Sequence, residues 1–322
     1  RYHLYGLTLA SDFVFSVRLE SATGQPDLTF QRVDEPPSRA DLSSHTPVYI
    51  SPHRTKTGSS VASLYRLPDY HVLRFHGFAE YYVGADTVFG HVLDPRYHYM
   101  LEIFFLGNAM SLWLEMHQTL ALHASAVEVN GGTIAFLADS RGGKTSLAAQ
   151  FVQQGFPLVT DDILAIGSPP GFLGQRGYPQ MRLWPDVAQH FLGRYQELEL
   201  VHPDYTKRRV RIGTDFGQFA VSATPLQCIY IPERYETTDE HPPITITVVS
   251  PAIAIMELLR HSFVARMVDA LNMQQQRMQA LSVLIRSVPV CTVRFPSGFD
   301  HLPRVQTAIL EDYLKHRSAS RA

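Results

Sequence analysis

The sequence predicts an α/β protein built around a phosphate-binding loop and preceded by a β-rich N-terminal region. Three observations point there. Short alternating segments fill residues 1–94, an apolar helical stretch follows at 95–118, and residues 119–322 alternate strand-like with helical runs around a glycine-rich junction. These three stretches are the expected domains.

Composition narrows the class. A chain of 322 residues that is 45% hydrophobic and 18% charged can bury one large core or two ordinary ones. Twenty-eight Lys and Arg against thirty Asp and Glu leave a net charge of -2, which argues against a general affinity for nucleic acid. No run reaches the ~18 apolar residues of a membrane span, so no membrane partner is expected. Cys228 and Cys291 lie in apolar, strand-like surroundings, which predicts buried thiols in a reducing cytoplasm rather than a disulfide framework or a zinc site. The opening Arg1-Tyr2-His3-Leu4 has no signal-peptide pattern.

The elements follow in order. Strands are predicted at Tyr2 to Leu9, Asp27 to Val33, Val61 to Leu67, His71 to Phe75, Phe78 to Val83 and Thr87 to Leu93, as an antiparallel region with a loop at Asp34 to Thr46. Met100, Ile103, Phe104, Leu106, Met110 and Trp113 mark a helix, bent near Gly107. A strand from Leu120 to Val129 meets the turn Asn130-Gly131-Gly132, the strongest short hairpin signal. Ile134 to Leu137 is a buried strand, Ser146 to Gln154 a helix stopped by Gly155, and Phe156 to Thr160 a strand continued by Ile163 to Ile166. Beyond a polar stretch at Gly167 to Gly177, helices are predicted at Pro185 to Leu192, Ala252 to Leu259, Val264 to Val288 with interruptions, and Leu302 to His316. The intervening strands are Val210 to Ile212, Leu226 to Ile231, Ile244 to Val249 and Val290 to Phe295.

Between the buried strand and its helix lies Ala138-x-x-x-x-Gly143-Lys144-Thr145. Such a loop aims consecutive backbone N–H groups and a helix N-terminus at a phosphate, while a lysine reaches the outer phosphates and a hydroxyl holds magnesium. Ser140, Arg141, Gly142, Gly143, Lys144, Thr145 and Ser146 are the candidate nucleotide-binding residues. The strict pattern has glycine where Ala138 stands.

Asp161 and Asp162 follow one short helix and one strand later, a separation that returns carboxylates to the loop. Phosphoryl transfer uses a carboxylate for the metal and another to receive or orient the acceptor hydroxyl. A strand-end turn would also place two aspartates together. His123 by itself reads as a core histidine. Arg182, with Arg208, Arg209 and Arg211 in the run Lys207-Arg208-Arg209-Val210-Arg211, could clamp phosphate, although such runs usually form a solvated face.

Leu122-His123-Ala124-Ser125-Ala126-Val127, the 138–145 loop and Val159-Thr160-Asp161-Asp162-Ile163-Leu164-Ala165-Ile166 together resemble the C-terminal catalytic domain of HPr kinase/phosphorylase. Tyr178 to Trp184 and Tyr5 to Ser11 are similar to the branch of HPr-kinase-like proteins encoded with lasso peptides, which phosphorylate the precursor peptide. The resemblance implies a fold related to HPr kinase and phosphoenolpyruvate carboxykinase, ATP and Mg2+ as cofactors, and a peptide serine as acceptor, in that branch the C-terminal serine of a lasso precursor. It assigns Asp161 as general base and Asp162 with Thr145 to the metal, places His123 near the phosphates, and makes a homo-oligomer plausible. Where the family has Glu-Ile-Arg-Gly, this chain has Gln180-Met181-Arg182-Leu183, so the second metal ligand and any phosphorylase activity are in question. The alternatives are a related kinase of a small metabolite or another protein, and a non-catalytic nucleotide-binding module.

Overall fold

The computed structural model describes residues 1–38, 41–55, 58–168, 171–203 and 205–319, and no side chains of 317–319. Parts of two expected loops, at 39–40 and 169–170, lie outside the described residues. Several sheets and helices form a mixed α/β chain of two compact units: Arg1–Thr119 with Phe263–Arg277, and Leu120–Ser262 with Met278–Ala322. Phe263–Arg277 thus groups with the first unit, whereas a linear reading puts it in the second region. Helical periodicity reports an apolar face but not the surface that face will meet.

Among the described residues of the first unit, nine strands form one sheet. It runs Glu20–Ser21, Tyr2–Leu4, Leu7–Ser11, Leu28–Val33, Thr87–Val92, Ala79–Val83, His71–Phe75, Ala62–Arg66, Tyr49–Ile50. The expected antiparallel arrangement needs correction, because Leu28–Val33 pairs parallel with both Leu7–Ser11 and Thr87–Val92. Long connections on either side of that strand allow crossovers, which a tight hairpin would forbid. The helical stretch consists of Met100–Phe104, a π-turn at Phe105–Ala109 and Met110–Met116, so the α-helical pattern is interrupted around Gly107. Phe105 stacks on Phe30 of the sheet at 3.8 Å between ring centroids. Gly90 permits that approach, since a Cβ there would meet Leu101 and Phe30 at 2.9 Å.

In the second unit, the strand Gly132–Leu137 lies between Ala124–Val129, antiparallel, and Thr224–Tyr235, parallel. Its residues are buried on both faces, and the alternation of side chains feeds two cores. Ile134 and Phe136 pack with Leu147, Phe151 and Ile309 on one side, while Ala135 and Leu137 pack with Leu258, Leu281 and Val290 on the other. Asn130 and Gly131, both at positive φ, close the hairpin as expected. A three-stranded sheet places Gln180–Leu183 beside Tyr205–Arg211, which in turn pairs with Leu200–His202.

Two strands read as continuous are each broken. Leu120–Leu122 pairs with Leu164–Ile166, whereas Ala124–Val129 pairs with Gly132–Leu137 and Leu158–Thr160. The breaks fall at His123 and at Asp161–Ile163, where the chain leaves one pairing for the other. Periodicity carries across such a break because the apolar residues on both sides are buried. No helix of the described residues is long and apolar enough to cross a membrane.

Candidate active site

The loop after Leu137 turns directly into the helix Lys144–Gln153, which starts two residues earlier than its apolar pattern suggests. Gly143 caps it at φ 101°, in the left-handed region that favours glycine. Gly142 has a different requirement: a Cβ on it would lie 2.6 Å from the Cβ of Ala138 and 3.0 Å from the carbonyl oxygen of Asp139. Ala138 therefore makes the loop tighter than a glycine would. The N-terminal turn carries Lys144, Thr145 and Ser146, and Lys144 is only 6% exposed. Burial pushes the Lys144 ammonium below its usual pKa, opposed by the charges of Asp161 and Asp162.

Asp161 joins the loop to two other elements. One carboxylate oxygen accepts from Ser125 Oγ at 2.5 Å and from Thr145 Oγ1 at 3.2 Å, and the other accepts from the backbone N–H of Arg182 at 2.9 Å. Asp162 turns elsewhere. Its backbone sits at φ 88°, uncommon for a residue with a side chain, and its carboxylate takes Arg182 Nη1 at 2.7 Å and faces His123 Nδ1 at 3.4 Å. Burial would raise this carboxyl, yet Arg182, followed by His123 and Lys144, holds it down at about 2. Arg182 also donates to Tyr178 Oη at 3.0 Å, so its guanidinium is fixed in place.

His123 has its pKa lowered by burial and by Lys144, against the pull of Asp162. It is therefore neutral at pH 7. Its Nδ1 lies 3.0 Å from the Asp162 carbonyl oxygen, which can only accept, so the proton belongs on Nδ1 and Nε2 is the acceptor nitrogen. The two strand breaks bring this histidine and the double aspartate together.

A cleft of about 480 Å³ opens over the loop. Five basic residues line it, Arg141, Lys144, Arg182, Lys207 and Arg234, against two acidic ones, Asp139 and Asp186, so it suits an anion. Trp184 carries two of the cations, with Arg141 Cζ 4.4 Å and Lys207 Nζ 5.2 Å from the ring centroid. Arg234 reaches the carbonyl oxygen of Arg141, while Asp139 pairs with Arg260 and lies 3.9 Å from His261 Nδ1.

Of the residues singled out in sequence, the structure gathers Lys144, Thr145, Asp161, Asp162, His123 and Arg182. Thr145 donates to Asp161, while the carboxylate of Asp162 turns to Arg182. The basic run contributes Lys207 to the cleft, whereas Arg208 donates to the Leu198 carbonyl at 3.0 Å and Arg211 pairs with Glu199 at 2.8 Å. Arg209 lies opposite Arg182 in the strand pairing, and buried Gln180 opposite Arg211. Ser125, Asp139 and Trp184 lie within the quoted stretches but were not singled out there, and Arg234 stands in no motif.

No protein-family model matches the chain, and no curated protein matches it. Among solved structures, that of the Hpr(Ser) kinase/phosphatase from Coxiella burnetii is similar over 61% of this chain and 98% of that chain, at 12% identity and a TM-score of 0.32. A likeness of that degree leaves the function to the site itself.

Proposed function

We propose that the second unit binds ATP with Mg2+ and transfers the terminal phosphoryl group to a serine hydroxyl of a peptide, as an HPr-kinase-like enzyme. One observation carries the reading: buried Lys144 and half-buried Thr145 open the loop helix, and the Thr145 hydroxyl lies 3.2 Å from a carboxylate oxygen of Asp161. A hydroxyl and a carboxylate are the hard oxygen donors that suit magnesium, and the loop N–H groups with Lys144 suit a polyphosphate. The residues present therefore fit both groups. Bound magnesium would neutralise charge on the transferring phosphates.

The chain's own residues divide the remaining work. Lys144, Arg141, Arg234 and Lys207 surround the phosphate charge, and the loop backbone orients it. Asp161, held by Ser125 and by the Arg182 amide, stands with Thr145 on the metal side. Asp162 then faces the acceptor, with its carboxylate positioned by Arg182 and neutral His123. A carboxylate with a low pKa can do this work, because a loose phosphoryl-transfer transition state needs the hydroxyl oriented more than deprotonated early. This exchanges the roles that the resemblance implies for the two aspartates. The peptide serine, and a lasso precursor as its source, rest on the sequence resemblance.

Three variants test the reading. Lys144→Ala should lose ~10²- to 10³-fold in turnover while remaining folded. Asp161→Asn should weaken magnesium-dependent nucleotide binding together with turnover, and Asp162→Asn should abolish transfer with nucleotide affinity nearly intact. The readouts are nucleotide titrations with and without chelator and phosphopeptide mass spectrometry, with a serine-to-alanine peptide as control. The opposite pattern in the two aspartate variants would restore the roles implied by the resemblance. Normal turnover of Lys144→Ala, or in excess chelator, would remove the kinase reading altogether.

A further inference from the structure

A second group of chemically active side chains lies outside the cleft. Cys228 and Cys291 sit on neighbouring parallel strands, with their sulfurs 3.9 Å apart. The C-terminal helix Leu302–Ala319 lays Asp312 and His316 over them, one turn apart on one face. His316 Nε2 is 3.9 Å from Cys291 Sγ and 3.4 Å from Asp312 Oδ2, and the ligand atoms of Cys228, Cys291 and Asp312 all lie within 4.8 Å of one another. None of the four lines the cleft over the phosphate loop.

We propose that Cys228, Cys291, Asp312 and His316 form a structural zinc site that ties the C-terminal helix to the central sheet. A tetrahedral zinc ion, with bonds of ~2.3 Å to sulfur and ~2.0 Å to nitrogen or oxygen, sets two sulfurs about 3.8 Å apart and a nitrogen and an oxygen about 3.3 Å apart. The two measured separations of those kinds, 3.9 and 3.4 Å, match that geometry. The donor set is also one that zinc takes: two thiolates and a carboxylate lie within 4.8 Å of one another, and the imidazole of His316, beside Cys291 and Asp312, is the fourth donor that would close on the ion. Tyr230 Oη donates to Asp312 Oδ2 at 3.0 Å and would orient the carboxylate from outside the metal. His316 lines a cavity of about 440 Å³, the side from which an ion would reach it. Binding replaces two thiol protons with one zinc ion and releases both protons to solvent.

The test uses the tag-free full-length chain, purified under reducing conditions and dialysed. Elemental analysis should find about one zinc per chain, and Co(II) added to the zinc-stripped protein should give the absorption of a tetrahedral thiolate site. Cys228→Ser/Cys291→Ser should lose the metal. His316→Ala, at a partly exposed position, should retain its far-UV circular dichroism and bind Co(II) at least ~10-fold more weakly. Lys144→Ala should keep the zinc, which separates this site from the nucleotide metal. Absence of both zinc and Co(II) absorption in reduced protein would overturn the proposal. So would unchanged metal content in the cysteine pair variant, or a Cys228–Cys291 disulfide in protein equilibrated with zinc.

Discussion

Asp162 combines a left-handed backbone with a carboxyl that Arg182, His123 and Lys144 hold at about 2 against the effect of burial. The carboxyl is depressed below its unfolded value of ~3.9, so it stabilises the folded state above that pH. The contribution is lost as pH falls from ~3.9 to about 2, because over that range the unfolded carboxyl is protonated while the native one is not. A shift of this size contributes on the order of 2 kcal/mol. Arg182→Leu removes the main opposing charge and should leave burial to raise the carboxyl. Arg182→Leu should be less stable than the parent to urea at pH 7, and the gap should narrow from pH 7 to 3, because a raised native carboxyl takes up its proton before the unfolded one does. Identical pH profiles would mean that Arg182 does not set the Asp162 charge.

At the scale of elements, the strand, loop and helix around residues 132–153 were readable because their signals are local. An apolar run, a glycine pair and a helical stripe are each short in sequence. The alanine at 138 has a consequence within that element. Gly142→Ala would press two methyl groups to 2.6 Å and should lose nucleotide binding by at least ~10-fold. Ala138→Gly in the same chain removes one of the two and should restore part of the affinity, a coupling measurable in a double-mutant cycle of nucleotide titrations. Additive effects would show that the contact does not govern the loop. The strand breaks at His123 and Asp161–Ile163 had no comparable signal, since the buried residues on either side keep the same pattern while the pairing partner changes.

For the molecule as a whole, the chain returns to the first unit long after leaving it. Arg277 pairs with Glu115 at 2.7 Å, and both side chains are nearly inaccessible. Removing one partner leaves a buried charge uncompensated, so Arg277→Met should destabilise by ~3–5 kcal/mol, whereas Glu115→Leu/Arg277→Met should recover much of that loss. Thermal unfolding of the two variants checks this, and Arg277→Met as stable as the parent would show that the pair does not hold the returning segment.

The amino-acid order alone determined the strand, glycine-rich loop and helix at 132–153, the hairpin, most helices and the identity of Lys144, Thr145, Asp161, Asp162 and Arg182 as candidates. Each depends on residues close in sequence, whose spacing and backbone preferences act before any long-range contact forms. The tertiary structure decided the rest: the parallel pairings of Leu28–Val33, the return of Phe263–Arg277, and the hydrogen bond from Thr145 to Asp161. It also decided that Arg234 and Trp184 share the cleft with the loop, and that Asp312 and His316 come to lie over two cysteines. Those placements depend on which buried faces meet and on one backbone angle at Asp162, and periodicity specifies neither.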